Sequence, residues 1–112
     1  MSYKETIESF IYDYPILEFH YLNRKDLIFS EKVRFICEHE CEHYGHSWAC
    51  PPAIGSIQSC IRECEKYSRA FLFSTIAQVE DSLNFEACLK ARRQHEDLTL
   101  KLRERFRQEF GD

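Results

Sequence analysis

The stretch "SIQSCIRECEKYSRAFLFSTI", residues 56–76, contains a helix pattern followed directly by a strand pattern. Its first half repeats apolar residues at helical spacing behind Ser56, which is the predicted N-cap. The repeating positions are Ile57, Cys60, Ile61, Cys64 and Tyr67. Its second half is a continuous apolar run rich in Phe, which predicts a buried central strand over about residues 70–76. The stretch therefore predicts helix and strand within one small chain.

Downstream, the segment from Ser82 to about Phe110 predicts one long helix. It is rich in Leu, Arg, Lys, Glu and Gln and has no Pro or Gly before Gly111, so the helix should extend for roughly 40 Å. Arg92 and His95 interrupt its apolar stripe. The apolar positions of the stripe are Phe85, Cys88, Leu89, Leu98, Leu102 and Phe106.

Upstream, the first residues predict a short helix that begins with a capping box of Ser2 and Glu5. Its apolar face consists of Ile7, Phe10 and Ile11. Aromatic and β-branched residues then predict a strand over 16–21 and short extended segments over 27–29 and 33–36.

This order of elements predicts an α/β or α+β fold with a small single-layer sheet. We expect helices to pack on that sheet, a cysteine-rich loop to lie at one edge, and a long helix to end the chain. At 112 residues the chain can bury one modest core, so residues 1–112 are predicted to form a single metal-binding domain.

Composition excludes several classes of protein. Nineteen acidic against fifteen basic residues, a formal net charge of -4, offer no strong field for a nucleic-acid backbone. No apolar run has the length of a membrane span, and the N-terminus lacks a signal-peptide pattern. We therefore expect a cytoplasmic protein whose six cysteines stay reduced, whereas an exported protein could use the same even number in disulfides.

Three cysteines lie close together in "CEHECEHYGHSWACPP", residues 37–52. Cys37, Cys41 and Cys50 have the spacing C-x3-C-x8-C, which fits neither a zinc ribbon nor the bacterial ferredoxin run. Thiolates are soft ligands for zinc, copper(I) and iron–sulfur clusters, and a dense set of them favours a bound cation. This segment therefore predicts a metal site of unspecified metal.

Histidines in the same segment allow a zinc alternative. His43 and His46 could complete a tetrahedral site with Cys37 and Cys41. The same histidines could equally be exposed members of an acidic, solvated loop, so both are candidate ligands only.

The segment "VRFICEHECEHYGHSWACPP", residues 33–52, followed by "RAFLFST" and "EDSLNFEA", resembles a family of predicted metal-binding proteins of unknown function. The resemblance covers residues 33–86 and implies metal binding, most plausibly an iron–sulfur cluster such as 4Fe–4S. Family members continue into a second cysteine-rich segment, so the resemblance covers only the N-terminal part of the family's architecture. The family's pattern has no histidine at the positions of His43 and His46, which weakens the zinc alternative.

Several residues could supply a fourth ligand. Cys60 and Cys64 lie one helical turn apart on the helix after the loop and could face the site or be small core residues. Cys88 is expected in the core, and His95 either lines the site or lies on a partly exposed face. A second copy of the chain sharing the ligand across a homodimer is a further hypothesis.

Three functions remain open from the sequence. The first is a cluster-binding protein for electron transfer or metal delivery to a protein partner. The second is a small zinc-stabilised interaction domain whose long helix contacts a partner. The third is an enzyme with Cys50 or Cys41 as nucleophile and a nearby histidine as base, although no recognisable catalytic order is present.

Overall fold

A computed structural model describes residues 2–41, 44–81 and 83–111. Within these residues, four helices and two strands follow one another. They are α1 (Tyr3–Glu8), β1 (Glu18–Asn23), α2 (Glu31–His39), α3 (Ile57–Cys64), β2 (Arg69–Ser74) and α4 (Phe85–Phe110), with short 3-10 turns at Ile11–Asp13 and Arg24–Asp26. Among the helices described, none combines the length and apolar character that crossing a membrane would require.

The two strands pair in an antiparallel sheet. The pairing extends from Leu17, whose N–H donates to the Ser74 carbonyl (2.8 Å), to Arg24, whose N–H donates to the Ser68 carbonyl (3.0 Å). With its four helices the chain is an α+β protein, as the sequence predicted. The prediction that β2 is a buried central strand is wrong, because β2 has one partner strand and none of its residues is fully buried.

Each of the four helices is preceded by a small polar residue whose side chain caps its first turn. The Ser2 and Ser56 hydroxyls accept from backbone N–H groups of Glu5 and Ser59, which confirms both predicted caps. The long helix α4 is also confirmed, with Asn84 as its N-cap. Its 26 residues correspond to about 39 Å.

The extended segments predicted over 27–29 and 33–36 are wrong. Residues 27–29 pair with no strand in the part of the chain that the structure describes, and residues 33–36 lie within α2. Ser30 caps this helix by accepting from the Lys32 N–H (3.2 Å). The β-branched and aromatic residues favour a strand locally, but a capped helix satisfies the backbone groups without a neighbouring strand.

Packing divides the chain into two compact units. Unit 1 comprises residues 1–19 and 73–112, and unit 2 comprises residues 20–72. The single metal-binding domain expected for residues 1–112 stays a prediction.

Unit 1 contains most of the buried apolar side chains. These are Ile7, Phe10 and Ile11, which lie on the predicted N-terminal face, and Leu98 and Leu102 of α4. The Phe10 ring packs edge-on against Phe106 with centroids 5.7 Å apart, and the Arg105 guanidinium lies 4.6 Å from the Phe10 centroid. Phe10, which lies between α1 and the first 3-10 turn, therefore packs on the last part of α4.

Candidate metal centre

Five of the six cysteines belong to unit 2. They are Cys37, Cys41, Cys50, Cys60 and Cys64. Cys88 lies on α4 in unit 1. All six are within the described residues, and no disulfide joins any of them. The fold therefore places the five candidate thiols in unit 2 and Cys88 in unit 1.

Helix α2 positions the first two thiols. Cys37 lies half-buried in its last turn, and Cys41 follows the C-cap residue Glu40 and is exposed. The Glu40 N–H still donates to the Ile36 carbonyl (2.9 Å), and the Tyr44 N–H donates to the Cys41 carbonyl (3.2 Å). Cys37 and Cys41 are thus one turn apart at the end of a helix.

Residues 44–55, here called the cysteine loop, hold the third thiol. The Gly45 N–H donates to the Pro51 carbonyl (2.9 Å), and the Cys50 N–H donates to the Ser47 carbonyl (3.2 Å). Gly45 has a φ of +77°, a left-handed conformation that glycine adopts without a steric penalty. These turns leave Cys50 only 8% exposed, in contrast with Cys41.

Helix α3 carries the two candidate fourth ligands. Cys60 and Cys64 are both half-buried and one turn apart. The Cys60 Sγ donates a hydrogen bond to the carbonyl of Ile54 (3.4 Å), so its thiol points at the cysteine loop. The structure gives Cys60 a direct contact with the segment that also holds Cys50.

Two polar contacts join these elements, and neither was predicted from the sequence. Arg34 Nη2 donates to the Gly55 carbonyl at 2.6 Å, which connects α2 to the end of the cysteine loop. Gln58 Nε2 donates to Glu31 Oε1 at 3.1 Å, which connects α3 to α2. No local pattern marks either pair, because the partners are more than twenty residues apart.

The described conformation does not gather these donors into a closed set. Among residues 2–41, 44–81 and 83–111, no three Cys, His, Asp or Glu side chains lie close enough together to hold one ion. By chemistry the thiols fit a soft metal, whereas by geometry the described side chains do not present a preformed site. His43 lies outside the described residues, and His46 is exposed in the cysteine loop.

Trp48 is the tryptophan of the cysteine loop. Its side chain is exposed, so it does not serve as a core anchor in this conformation. The neighbouring Pro51 is buried beside Cys50, and the Pro51–Pro52 peptide bond is cis.

His95 belongs to unit 1 and has partners there. Its Nδ1 lies 2.7 Å from Thr75 Oγ1, and its ring stacks on Phe73 with centroids 5.2 Å apart. Arg92, one turn earlier, pairs with Glu96 (3.1 Å). Both residues that interrupt the apolar stripe of α4 therefore have structural partners within unit 1.

Comparisons with known proteins assign the chain to a family. The model of a family described as predicted metal-binding protein (DUF2284) matches residues 20–111. Searches of curated proteins and of solved structures found no match. The matched residues include all five thiols of unit 2 as well as β2 and α4. Because the match covers most of the chain, the protein belongs to this family of predicted metal-binding proteins.

Proposed function

We propose that the protein binds an iron–sulfur cluster through Cys37, Cys41 and Cys50, with a fourth thiolate from Cys60 or Cys64. The observation that carries this proposal is the grouping of these five thiols, none of them in a disulfide, within unit 2. The family's description as predicted metal-binding supports a metal in general terms. Thiolate-only ligation is typical of iron–sulfur clusters and of some zinc sites.

Cys60 is the stronger candidate for the fourth thiolate. Its Sγ already points at the cysteine loop through the hydrogen bond to Ile54. Cys64 lies one turn farther along α3, on the same side of the helix. Moving the cysteine loop toward α3 would bring Cys50 nearer to Cys60 than to Cys64.

Binding would have to assemble the site. No three possible ligands lie together among the described residues, so the thiols must move relative to one another before they can share an ion. Coupling of this kind is common, because metal sites are rarely preformed and the binding free energy then stabilises the folded state. The proposal therefore includes a rearrangement of residues 41–50.

The biological role we propose is electron transfer or metal delivery to a protein partner. The solvent-exposed Cys41 and Trp48 would place one side of the bound group near the surface, where a partner could receive an electron or an ion. A structural zinc ion on the same thiols, with His46 or His43 as a further candidate ligand, is the alternative that the metal analysis separates.

The test is metal analysis of protein prepared without oxygen. An iron–sulfur protein is brown, absorbs broadly near ~400 nm and contains iron and acid-labile sulfide. Colourless protein with about one zinc per chain would contradict the cluster and support the zinc alternative. Metal-free, folded protein with a single unusually reactive cysteine would contradict both and favour a cysteine-dependent enzyme.

Serine substitutions test the ligands one at a time. Cys37→Ser, Cys41→Ser and Cys50→Ser should each remove most of the bound metal, and Cys60→Ser should reduce it more than Cys64→Ser. Cys88→Ser is the matched control, because it makes the same chemical change in unit 1 and should leave metal content unchanged. Full occupancy in Cys50→Ser would contradict the assignment of ligands.

A further inference from the structure

Helix α2 presents its apolar side chains to solvent and a charged one to the protein. Val33, Phe35 and Ile36 are each more than half exposed. Arg34, between them, is half-buried and donates to Gly55. A helix on the surface of a folded protein ordinarily has the opposite arrangement, with its apolar stripe on the core. The inverted arrangement indicates that the apolar face of α2 serves an interaction.

The exposed apolar surface continues into the segment before the helix. Leu27, Ile28 and Phe29 are all exposed, and Ile28 is 92% exposed. Segment 27–36 thus carries six exposed large apolar side chains within ten residues. Contiguous apolar surface of this kind marks protein–protein contacts in soluble proteins.

Charges along α2 indicate what the partner is. Lys32, Ile36 and Glu40 follow one another at intervals of four residues and form one stripe on the helix. Lys32 and Glu40 are exposed and lie at equal distances on either side of Ile36. If two copies of α2 cross antiparallel at Ile36, each Lys32 faces the Glu40 of the other copy. Such self-complementarity is what a twofold interface requires.

We propose that segment 27–36 and Glu40 form the interface of a homodimer, with the α2 helices antiparallel about Ile36. Ile36 packs on its own counterpart at the twofold axis, and two Lys32–Glu40 pairs flank it. Val33, Phe35 and Ile28 supply the surrounding apolar contact. Arg34 and Cys37 are half-buried, and Arg34 donates to Gly55 at the end of the cysteine loop, so the proposed interface uses the exposed residues of α2 and not these two.

A charge exchange tests this arrangement. In the dimer, Lys32→Glu places two glutamates opposite each other at both ends of the contact, and Glu40→Lys does the same with two lysines. Each single variant should raise the dissociation constant by at least about tenfold at low salt. The double variant Lys32→Glu/Glu40→Lys restores opposite charges and should recover the wild-type dissociation constant to within about threefold. Lys90→Glu, on α4, is the matched control and should associate like the wild type.

The single variants should fold at least as well as the wild type. Glutamate in the first turn of a helix and lysine at its C-terminus both interact favourably with the helix dipole. A loss of association with unchanged far-ultraviolet circular dichroism therefore reports the interface and not the fold.

Sedimentation velocity over a micromolar concentration series gives the measurement, with and without chelator. We expect a wild-type species of about twice the 13.5 kDa chain mass in both conditions, since Cys37, the candidate thiol on α2, is half-buried and lies outside the proposed contact. A wild-type protein that sediments as a monomer at every concentration would overturn the proposal. Equal weakening in the single and double variants would overturn the antiparallel pairing.

Discussion

Arg34 donates a hydrogen bond of 2.6 Å from its guanidinium to the carbonyl oxygen of Gly55, twenty-one residues later in the chain. This bond connects the helix that carries Cys37 to the end of the loop that carries Cys50. It also explains why a charged residue occupies the half-buried face of α2.

Arg34→Met should lower the free energy of unfolding by about 1.5–3 kcal/mol, the usual range for a hydrogen bond to a charged group. Methionine keeps an apolar stem and removes both the donor and the positive charge. Urea unfolding followed by circular dichroism measures the change. Arg93→Met is the control, because Arg93 donates to the Leu89 carbonyl on an exposed helix face at 3.4 Å; a loss as large as that of Arg34→Met would contradict a special role for the Gly55 contact.

Gly45→Ala should destabilise unit 2 by about 1–2 kcal/mol, because alanine pays a steric penalty at positive φ. An added Cβ would lie 4.0 Å from Pro52, so the cost arises from conformation and not from a clash. Gly111→Ala provides a comparison at a similar φ of +78°. Gly111 follows the end of α4, where the backbone can relax, so this substitution should lower the free energy of unfolding by less than Gly45→Ala. If Gly45→Ala lowers the free energy of unfolding in urea no more than Gly111→Ala does, the fold of the cysteine loop does not depend on the positive φ of Gly45.

Cys41 should react with iodoacetamide before Cys50 in metal-free, reduced protein. Cys41 is exposed and Cys50 is buried within the turns of the cysteine loop, and alkylation requires access to the sulfur. Peptide mass spectrometry at increasing reaction times measures the order. In urea the two rates should converge, and a Cys50 that reacts first in the folded protein would show that the loop is open in solution.

Removing the metal should lower the thermal stability of the protein. A ligand that binds only the folded state at a hundred times its dissociation constant stabilises by about 2.7 kcal/mol. Calorimetry before and after chelation measures the difference. Cys88→Ser should respond like the wild type, whereas Cys37→Ser should unfold at the same temperature with and without chelator; a chelator-sensitive Cys37→Ser would place the metal elsewhere.

Leu102→Ala should destabilise the protein by about 2–4 kcal/mol, because it leaves a cavity in the core of unit 1. Leu100 lies two residues earlier on α4 and is ten times more exposed, at 40% against 4%. Leu100→Ala should therefore cost less than about 1 kcal/mol by the apolar area it removes. Similar losses in urea unfolding would mean that α4 packs with a different face.

Local signals were sufficient for several parts of the fold. Ser2 and Ser56 were recognisable as caps because capping acts over three residues. The long helix α4 was recognisable because 26 residues of good helix formers contain no breaker. The cysteine cluster was recognisable from composition alone, and the family match confirmed that it belongs to a predicted metal-binding chain.

Helix α2 shows where such reasoning failed. Residues 33–36 have strand propensity, and only the absence of a neighbouring strand together with the Ser30 cap makes them helical. The exposure of β2 was missed for a related reason, since an apolar run does not reveal how many strands will flank it.

The sequence by itself determined the α+β class, the Ser2 and Ser56 caps and the presence of six cysteines whose thiols can bind soft metals, because each depends on neighbouring residues or on side-chain chemistry. Only the tertiary structure decided that five thiols share unit 2 while Cys88 and His95 belong to unit 1. It also decided that Arg34 faces inward and Ile36 outward. These outcomes depend on contacts between segments that are far apart in the chain, and a local pattern carries no information about such contacts.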